Sequence, residues 1–493
     1  MKNMKKMKRL VALALSVVMV LAMSVFAFAR EAQTFTITAP GTNHQYEIYQ
    51  IFTGDLSGST LSNVKWGANG TGTEGSAVDE AVLTELANID ANSSDSDKLA
   101  IIKKYAKLDT DPVETISNGN TYTAAAGYYL IKDKDKSVSG LDSYTTYIVK
   151  VVGDVTITPK AAVPSFEKKI KDNNDTDGTE TGWQDSADYD IGDQVPFKLE
   201  GTVASNYDAY KTYYFAFHDI EEAGLTFNSA SVKVSVDGKK ITTGYEVVTN
   251  PSDGCSFEVI FNDLKKLAEV KANSKVTVEY TSKLNNNAVL GNQGNVNKGK
   301  LEFSNNPNQE QSGTPETGET PWDNVIVFTY QVVVNKRAES VDGDKLSGAE
   351  FTLEKELKDG SKKTITVIKS DDGTSFTFKG LDDGKYILTE TQTPNEYNSI
   401  DPIEFTVNAD HTITWDGTNR TGVLTSLTGN QADGKITFAP KEDNSELVTN
   451  VVNKKGSTLP STGGIGTTIF YVVGAILMVG AAVLLITKRR AEN

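Results

Sequence analysis

Apolar and polar residues alternate along most of this chain. The period of two recurs over Thr34–Thr38 and over 145–158, 231–236, 275–280, 325–334, 363–368 and 404–407, stretches rich in β-branched and aromatic residues. Turn pairs such as Asp237-Gly238, Asp372-Gly373 and Asp383-Gly384 punctuate them. Short strands separated in this way predict an all-β chain of tandem β-sandwiches. Helical spacing is confined to 78–89, introduced by Ser76 as an N-cap, to 98–108, and to 263–270. The first domain is therefore expected to carry added short helices.

Two long apolar runs break the alternation. Residues 10–28 follow Lys2, Lys5, Lys6, Lys8 and Arg9 and end in Ala27-Phe28-Ala29, the layout of a secretory signal peptide cut after Ala29. Residues 469–486 would make a helix of about 27 Å, close to a bilayer core. Lys488, Arg489 and Arg490 follow at once, so the precursor is expected to rest transiently in the membrane with nearly the whole chain outside. Between these ends, the Pro-Lys-Ala-Ala-Val-Pro segment 159–164 and the Pro/Gly/Glu-rich segment 305–323 suggest two boundaries. The expected division is 1–29, 30–163, 164–330, 331–456 and 457–493.

Charge narrows the functions open to the chain. It carries 49 basic and 65 acidic side chains, a formal net charge of −16, and both removable ends are basic, so the mature part is more acidic still. That disfavours nucleic acid and anionic membrane as partners. The single cysteine, Cys255, allows no internal disulfide even in an exported protein. With only His44, His218 and His411 beside it, no zinc cluster, other metal site or cofactor is expected. His218 and Asp219 are adjacent, and neighbours on a strand face opposite sides.

Leu459-Pro460-Ser461-Thr462-Gly463 precedes the C-terminal apolar run and its basic tail. The order resembles the LPxTG sorting signal of sortase substrates. The resemblance implies that a sortase cysteine attacks the Thr462 carbonyl, releases everything from Gly463 onward and holds the protein as a thioester.

Within 331–456, Asn335-Lys336 and Leu346 through Leu353 resemble the opening strands of a CnaB-type domain, and Tyr386 through Pro394 resembles that family's E-box. Thr393 stands where the family has alanine, and Glu396 where it has glycine. Asn453 closes the last strand. The resemblance implies an isopeptide bond between Lys336 and Asn453, assisted by Glu390. Burial would lower the lysine pKa so that a free amine attacks, and would keep the glutamic acid protonated to polarise the Asn453 carboxamide oxygen.

Within 164–330, Phe166-Glu167-Lys168-Lys169-Ile170, Phe215 through Asp219 with Gly224-Leu225-Thr226-Phe227, and Asn297 through Phe303 resemble the fimbrial isopeptide-forming D2 domain. The implied set is Lys168, Asp219 and Asn297, with Lys169, Asn295 and Asn305 as the register alternatives. The first domain has no acid in Gly127 through Lys132 and no lysine in 34–52, so no crosslink is expected there. Its end, Val155-Thr156-Ile157-Thr158-Pro159-Lys160, resembles the pilin motif V-x-V-Y-P-K, although Thr158 replaces tyrosine and no tryptophan stands upstream. By that resemblance the Lys160 amine attacks the Thr462 thioester of another subunit. Pro159 would present the lysine in extended backbone outside a sheet.

Together these motifs resemble a sortase-assembled backbone pilin of a Gram-positive bacterium, built from tandem immunoglobulin-like CnaA/CnaB-type sandwiches, wall-anchored and supporting adhesion. The implied partners are a polymerising sortase, a housekeeping sortase, identical subunits head to tail, peptidoglycan, accessory pilins and host or surface ligands. No turnover enzyme is implied. The rival reading is a wall-anchored adhesin with CnaB stalk domains that never polymerises. Lys160, standing between two domains, favours the pilin.

Overall fold

The computed structural model describes residues 33–87, 101–158, 162–308, 315–456 and 465–491, apart from 43, 58–59, 139, 152, 412–413, 416–419, 422–423, 432–435 and 442–445. The signal sequence, Lys160 and the pentapeptide 459–463 lie outside the described residues. The chain divides into two compact units, one spanning 1–174, 179–329 and 411–425, the other 175–178, 330–410 and 426–493. Strands dominate both.

At the start of the first unit, Thr34–Thr38 pairs with Thr121–Ala125 and Val155–Thr156, and Gln45–Ser57 pairs with Thr60–Trp66, Glu114–Ser117 and Gly127–Asp133. Gln45–Ser57 buries both its faces because alternate side chains enter different cores. Tyr46 and Ile48 join one with Tyr129 and Ile131; Tyr49 and Ile51 join another with Leu130. The helix of this part is Glu80–Ala87, shorter than the 78–89 pattern; within 98–108, the described helical residues are 101–104.

The rest of this unit is a sandwich. One sheet runs Ser186–Asp188, Asp323–Phe328, Asn295–Ser304, Phe215–Glu221, Phe257–Phe261, Glu246–Thr249; the other runs Lys239–Ile241, Leu225–Val236, Lys275–Leu284, Gln194–Thr202, Phe166–Ile170. Their inner faces share one core, in which Phe197, Leu199, Val276 and Val278 meet Phe215, Phe217 and Phe257. The expected helix over 263–270 is only the 3-10 turn Leu264–Lys266. Asp263 caps it, its carboxylate accepting from the backbone N–H groups of Lys265 and of Tyr213.

The second unit pairs two five-stranded sheets. Tyr330–Ala338 lies between Ser375–Leu381 and Leu447–Asn453, and Glu350–Glu356 lies between Lys362–Ile365 and Gly384–Gln392. The expected continuous strand over 325–334 is in fact two, Asp323–Phe328 and Tyr330–Ala338, broken at Thr329 where one unit ends and the next begins. First and last strands run parallel, Lys336 opposite Val451 and Ala338 opposite Asn453.

After the pentapeptide comes the helix Ile465–Ala491. Its side chains are described mainly from Tyr471 to Leu484. Among the described residues no helix is long and apolar enough to cross a membrane.

Phe217 is fully buried, with Phe215 edge-on at 5.4 Å and Phe166 at 6.1 Å. Phe217→Ala should cost about 3–5 kcal/mol of second-domain stability, read from denaturant midpoints.

Candidate functional site

In the strand Phe166–Ile170, alternation turns Lys168 inward beside Ile170, and the residue is wholly buried. Phe215–Glu221 and Asn295–Ser304 are antiparallel neighbours, with Glu221 opposite Asn297 and Asp219 opposite Gly299. The alternation along Lys275–Leu284 sends Tyr280 and Ser282 inward. These strands place six polar groups in one apolar core: Lys168, Asp219, Glu221, Tyr280, Ser282 and Asn297.

Lys168 Nζ donates to Asp219 Oδ2 and, at 2.8 Å, to the Tyr280 hydroxyl. Tyr280 donates to Asp219 Oδ2 at 2.8 Å and accepts from Asn297 Nδ2 at 2.9 Å. Asn297 Nδ2 also reaches Glu221 Oε1 at 3.4 Å, and Ser282 donates to the same carboxylate oxygen. The Asn297 carboxamide oxygen and Asp219 Oδ1 are buried without a hydrogen bond. Burial pushes the Lys168 amine below its ordinary range against the pull of Asp219, and pushes Asp219 up. Burial and the neighbouring Asp219 charge push Glu221 up to about 7.

The register alternatives lie elsewhere. Lys169 pairs with Asp185 at 2.7 Å, Asn295 bonds the backbone of Val289 and Val327, and Asn305 bonds the carbonyl of Asp142. Tyr280, Glu221 and Ser282 escape a motif-based reading. Glu221 is nevertheless two residues beyond Asp219, and strand alternation alone puts both on one face.

In the second unit Lys336 is wholly buried, 5.4 Å from the Phe351 ring centroid. Its Nζ lies 3.0 Å from Glu390 Oε1 and donates to Asn453 Oδ1. Asn453 Nδ2 donates to Glu390 Oε2 at 3.0 Å and to the Asn398 carbonyl at 2.8 Å. Glu390 thus faces the Lys336 and Asn453 nitrogens rather than the carboxamide oxygen expected from the motif. Burial lowers the Lys336 amine against the pull of Glu390. Both departures from the E-box have structural counterparts. Thr393 donates to Glu390 Oε2 at 3.0 Å, and Glu396 adopts φ +70°, backbone that favours glycine.

A third wholly buried lysine, Lys355, meets the carboxylates of Asp175 and Asp382, and Tyr386 donates to the Asp382 carbonyl. In the first domain Lys132 pairs with Glu47 at 2.8 Å and Asp135 at 3.1 Å. There burial is outweighed by the carboxylates, and the amine is held above its ordinary range. His218 faces away from Asp219, and its Nδ1 lies 3.8 Å from Cys255 Sγ, because the turn before Phe257–Phe261 folds back over the strand.

Comparison with known proteins fits this geometry. Residues 330–421 match the SpaA prealbumin-like fold domain, 191–307 match the Cna-B-like domain of Gram-positive pilin backbone subunit 2, and 451–493 match the LPXTG cell wall anchor motif. These define a cell-wall-anchored surface protein with Cna-B-like domains. The chain is 28% identical over 413 residues to the trypsin-resistant surface T6 protein of Streptococcus pyogenes serotype M6, covering 71% of this chain and 72% of that one. The T6 backbone pilin structure, a modular three-domain protein, superposes with a TM-score of 0.53 at 19% identity, over 87% of this chain and all of that one. The full-length major pilin SpaD of Corynebacterium diphtheriae gives 0.48 at 18% identity, over 88% and 99%. With a pilin-backbone Cna-B-like domain, a wall-anchor motif and a T6 relative, the chain is a structural subunit of a surface pilus anchored in the cell wall.

Glu221 makes the second domain sensitive to pH. A carboxyl whose folded-state pKa is raised contributes stability that is full below its unfolded pKa and lost as pH rises through its folded value. Second-domain stability should therefore fall between about pH 5 and 8. Glu221→Gln should flatten that slope in chemical unfolding measured across the range.

Proposed function

We propose that this backbone pilin staples its second and third domains with self-formed isopeptide bonds, Lys168 to Asn297 and Lys336 to Asn453, and is polymerised by sortase through Lys160 and Thr462. The observation that carries the first part is that each buried lysine, its amine lowered by burial, bonds an acid and is linked to an asparagine, Lys336 to Asn453 directly and Lys168 to Asn297 through the Tyr280 hydroxyl. In the third domain the uncharged Lys336 nitrogen attacks Asn453 Cγ. Glu390 takes the proton from that nitrogen through Oε1 and returns one to the leaving nitrogen through Oε2. The Cγ–N bond to the carboxamide nitrogen breaks, the new Nζ–Cγ bond remains, and ammonia leaves. In the second domain Asp219 takes the Lys168 proton, and the Tyr280 hydroxyl, which bridges Asp219 to Asn297 Nδ2, completes the relay. Asp219 and Glu390 each act once, so the chain is no turnover enzyme.

Each bond ties the opening strand of a domain to a late one across more than a hundred residues, 117 in the third domain. By analogy with disulfides this removes on the order of 4–5 kcal/mol of unfolded-state entropy. Such covalent closure compensates for the missing disulfides. At the ends, a sortase holds Thr462 as a thioester, and the Lys160 amine of another subunit displaces the enzyme to form the inter-subunit amide. A housekeeping sortase passes the last subunit to peptidoglycan, and the C-terminal helix holds the precursor at the membrane until then.

Intact mass of recombinant residues 30–456 should fall short of the sequence mass by two ammonias. Glu390→Ala and Asp219→Ala should each restore one and make their own domain melt and proteolyse more readily; a wild-type mass equal to the sequence mass would refute both bonds. Tyr280→Phe should slow ammonia loss in the second domain alone, seen as a time-dependent deficit of one. In the producing bacterium, Lys160→Ala should collapse the high-mass ladder of wall extracts to monomer. An unchanged ladder would reassign the linking lysine.

A further inference from the structure

The strand Phe215–Glu221 is used on both faces. Asp219 turns toward the Lys168 core, and His218 turns the other way, opposite Glu258 on the neighbouring strand Phe257–Phe261. The turn leading into that strand carries Asp253-Gly254-Cys255, with Gly254 at φ +90° and the Cys255 N–H bonded to Asp253 Oδ1 at 2.9 Å. His218 Nδ1 therefore lies 2.9 Å from Glu258 Oε1, 3.2 Å from Asp253 Oδ2 and 3.8 Å from Cys255 Sγ. Cys255 Sγ is in turn 3.1 Å from Asp253 Oδ2. The four ligand atoms all lie within 4.8 Å of one another.

We propose that His218, Asp253, Cys255 and Glu258 form a zinc site on the second domain. Zinc takes nitrogen, thiolate and carboxylate ligands in tetrahedral array at about 2.0–2.3 Å, which sets ligand–ligand edges of roughly 3.3–3.6 Å. The four measured separations fall within about half an ångström of that range. The other side of the ring is arranged as a zinc histidine needs. His218 Nε2 is 3.0 Å from Glu302 Oε2, and Thr317 donates to the second oxygen of Glu302 at 2.6 Å. That carboxylate holds the proton on Nε2 and turns the Nδ1 lone pair toward Asp253, Cys255 and Glu258, the outer-shell arrangement typical of zinc-bound imidazole.

The alternative occupant of the space is a second imidazolium proton. It serves one of the two carboxylates at Nδ1 and leaves the other to the weak thiol donor. A divalent cation serves all four. Lys300, the nearest amine along the sheet, is drawn off by Glu319 at 2.7 Å and lies over the Trp322 ring. His218, Cys255 and Glu258 are buried, whereas Asp253 is exposed and gives an ion its entrance. On binding, the thiol proton leaves to solvent and thiolate bonds the metal. The ion then pins the 250–256 turn onto the strand that carries Asp219.

The test loads the mature chain, freed of affinity tags, with zinc chloride and removes unbound metal by gel filtration. Metal analysis should return one zinc per chain, chelator should strip it, and the melting temperature should rise with zinc and fall with chelator. Cobalt(II) added to the stripped protein should give a thiolate-to-metal charge-transfer band. Asp253→Asn, an exposed and mild change, and Cys255→Ser should each abolish retention, while intact mass and circular dichroism remain those of folded protein. Glu302→Gln should weaken zinc by roughly 10–100-fold. A wild-type chain that leaves gel filtration without zinc, or variants that keep wild-type stoichiometry, would overturn the site. So would a cobalt spectrum without the thiolate band.

Discussion

A lysine nitrogen buried among phenylalanines and valines must give up its proton or find a carboxylate, because an unpaired cation there costs several kcal/mol. Lys168 and Lys336 each face that constraint with a single principal acid. Burial lowers both amines against the pull of the acid beside each. Lys132 shows the other outcome, with two carboxylates and an amine held above its ordinary range. The same residue type thus has its amine lowered or held up according to how many charges the strands bring to it.

The strands make that choice by register. In the third domain, first and last strands are parallel neighbours, so Lys336 and Asn453 lie two positions apart across one ladder. In the second domain Lys168 and Asp219 come from opposite sheets, and Tyr280 spans the core between them. The two domains arrive at similar chemistry by different pairings. This is why a carboxylate alone bridges lysine and asparagine in one, and a carboxylate and a phenol do so in the other.

Much of this was legible in the residues. Period-two alternation marked the strands, and the residues around Lys336, Glu390 and Asn453 carried a recognisable order. What stayed hidden depends on contacts remote in the chain. Tyr280 reads as another apolar-face strand residue, and Lys355 as a solvated lysine, until the sheets close over them. His218 and Cys255 are 37 residues apart, and only a turn folding back over a strand joins them. The 263–270 pattern carried a genuine N-cap, Asp263, but only one 3-10 turn follows it.

Parallel pairing of first and last strands has a mechanical consequence. Pulling at the Tyr330 end of one and beyond Asn453 of the other loads every ladder bond at once in shear, where an antiparallel hairpin would unzip one bond at a time. Were Lys336 joined to Asn453, the chain between them, a separation of 117 positions, would drop out of the load path. Those residues represent roughly 400 Å of extended chain that the domain could otherwise pay out. A fibre of such subunits would behave under tension as a strap of nearly fixed length, its only give the few residues on either side of each bond.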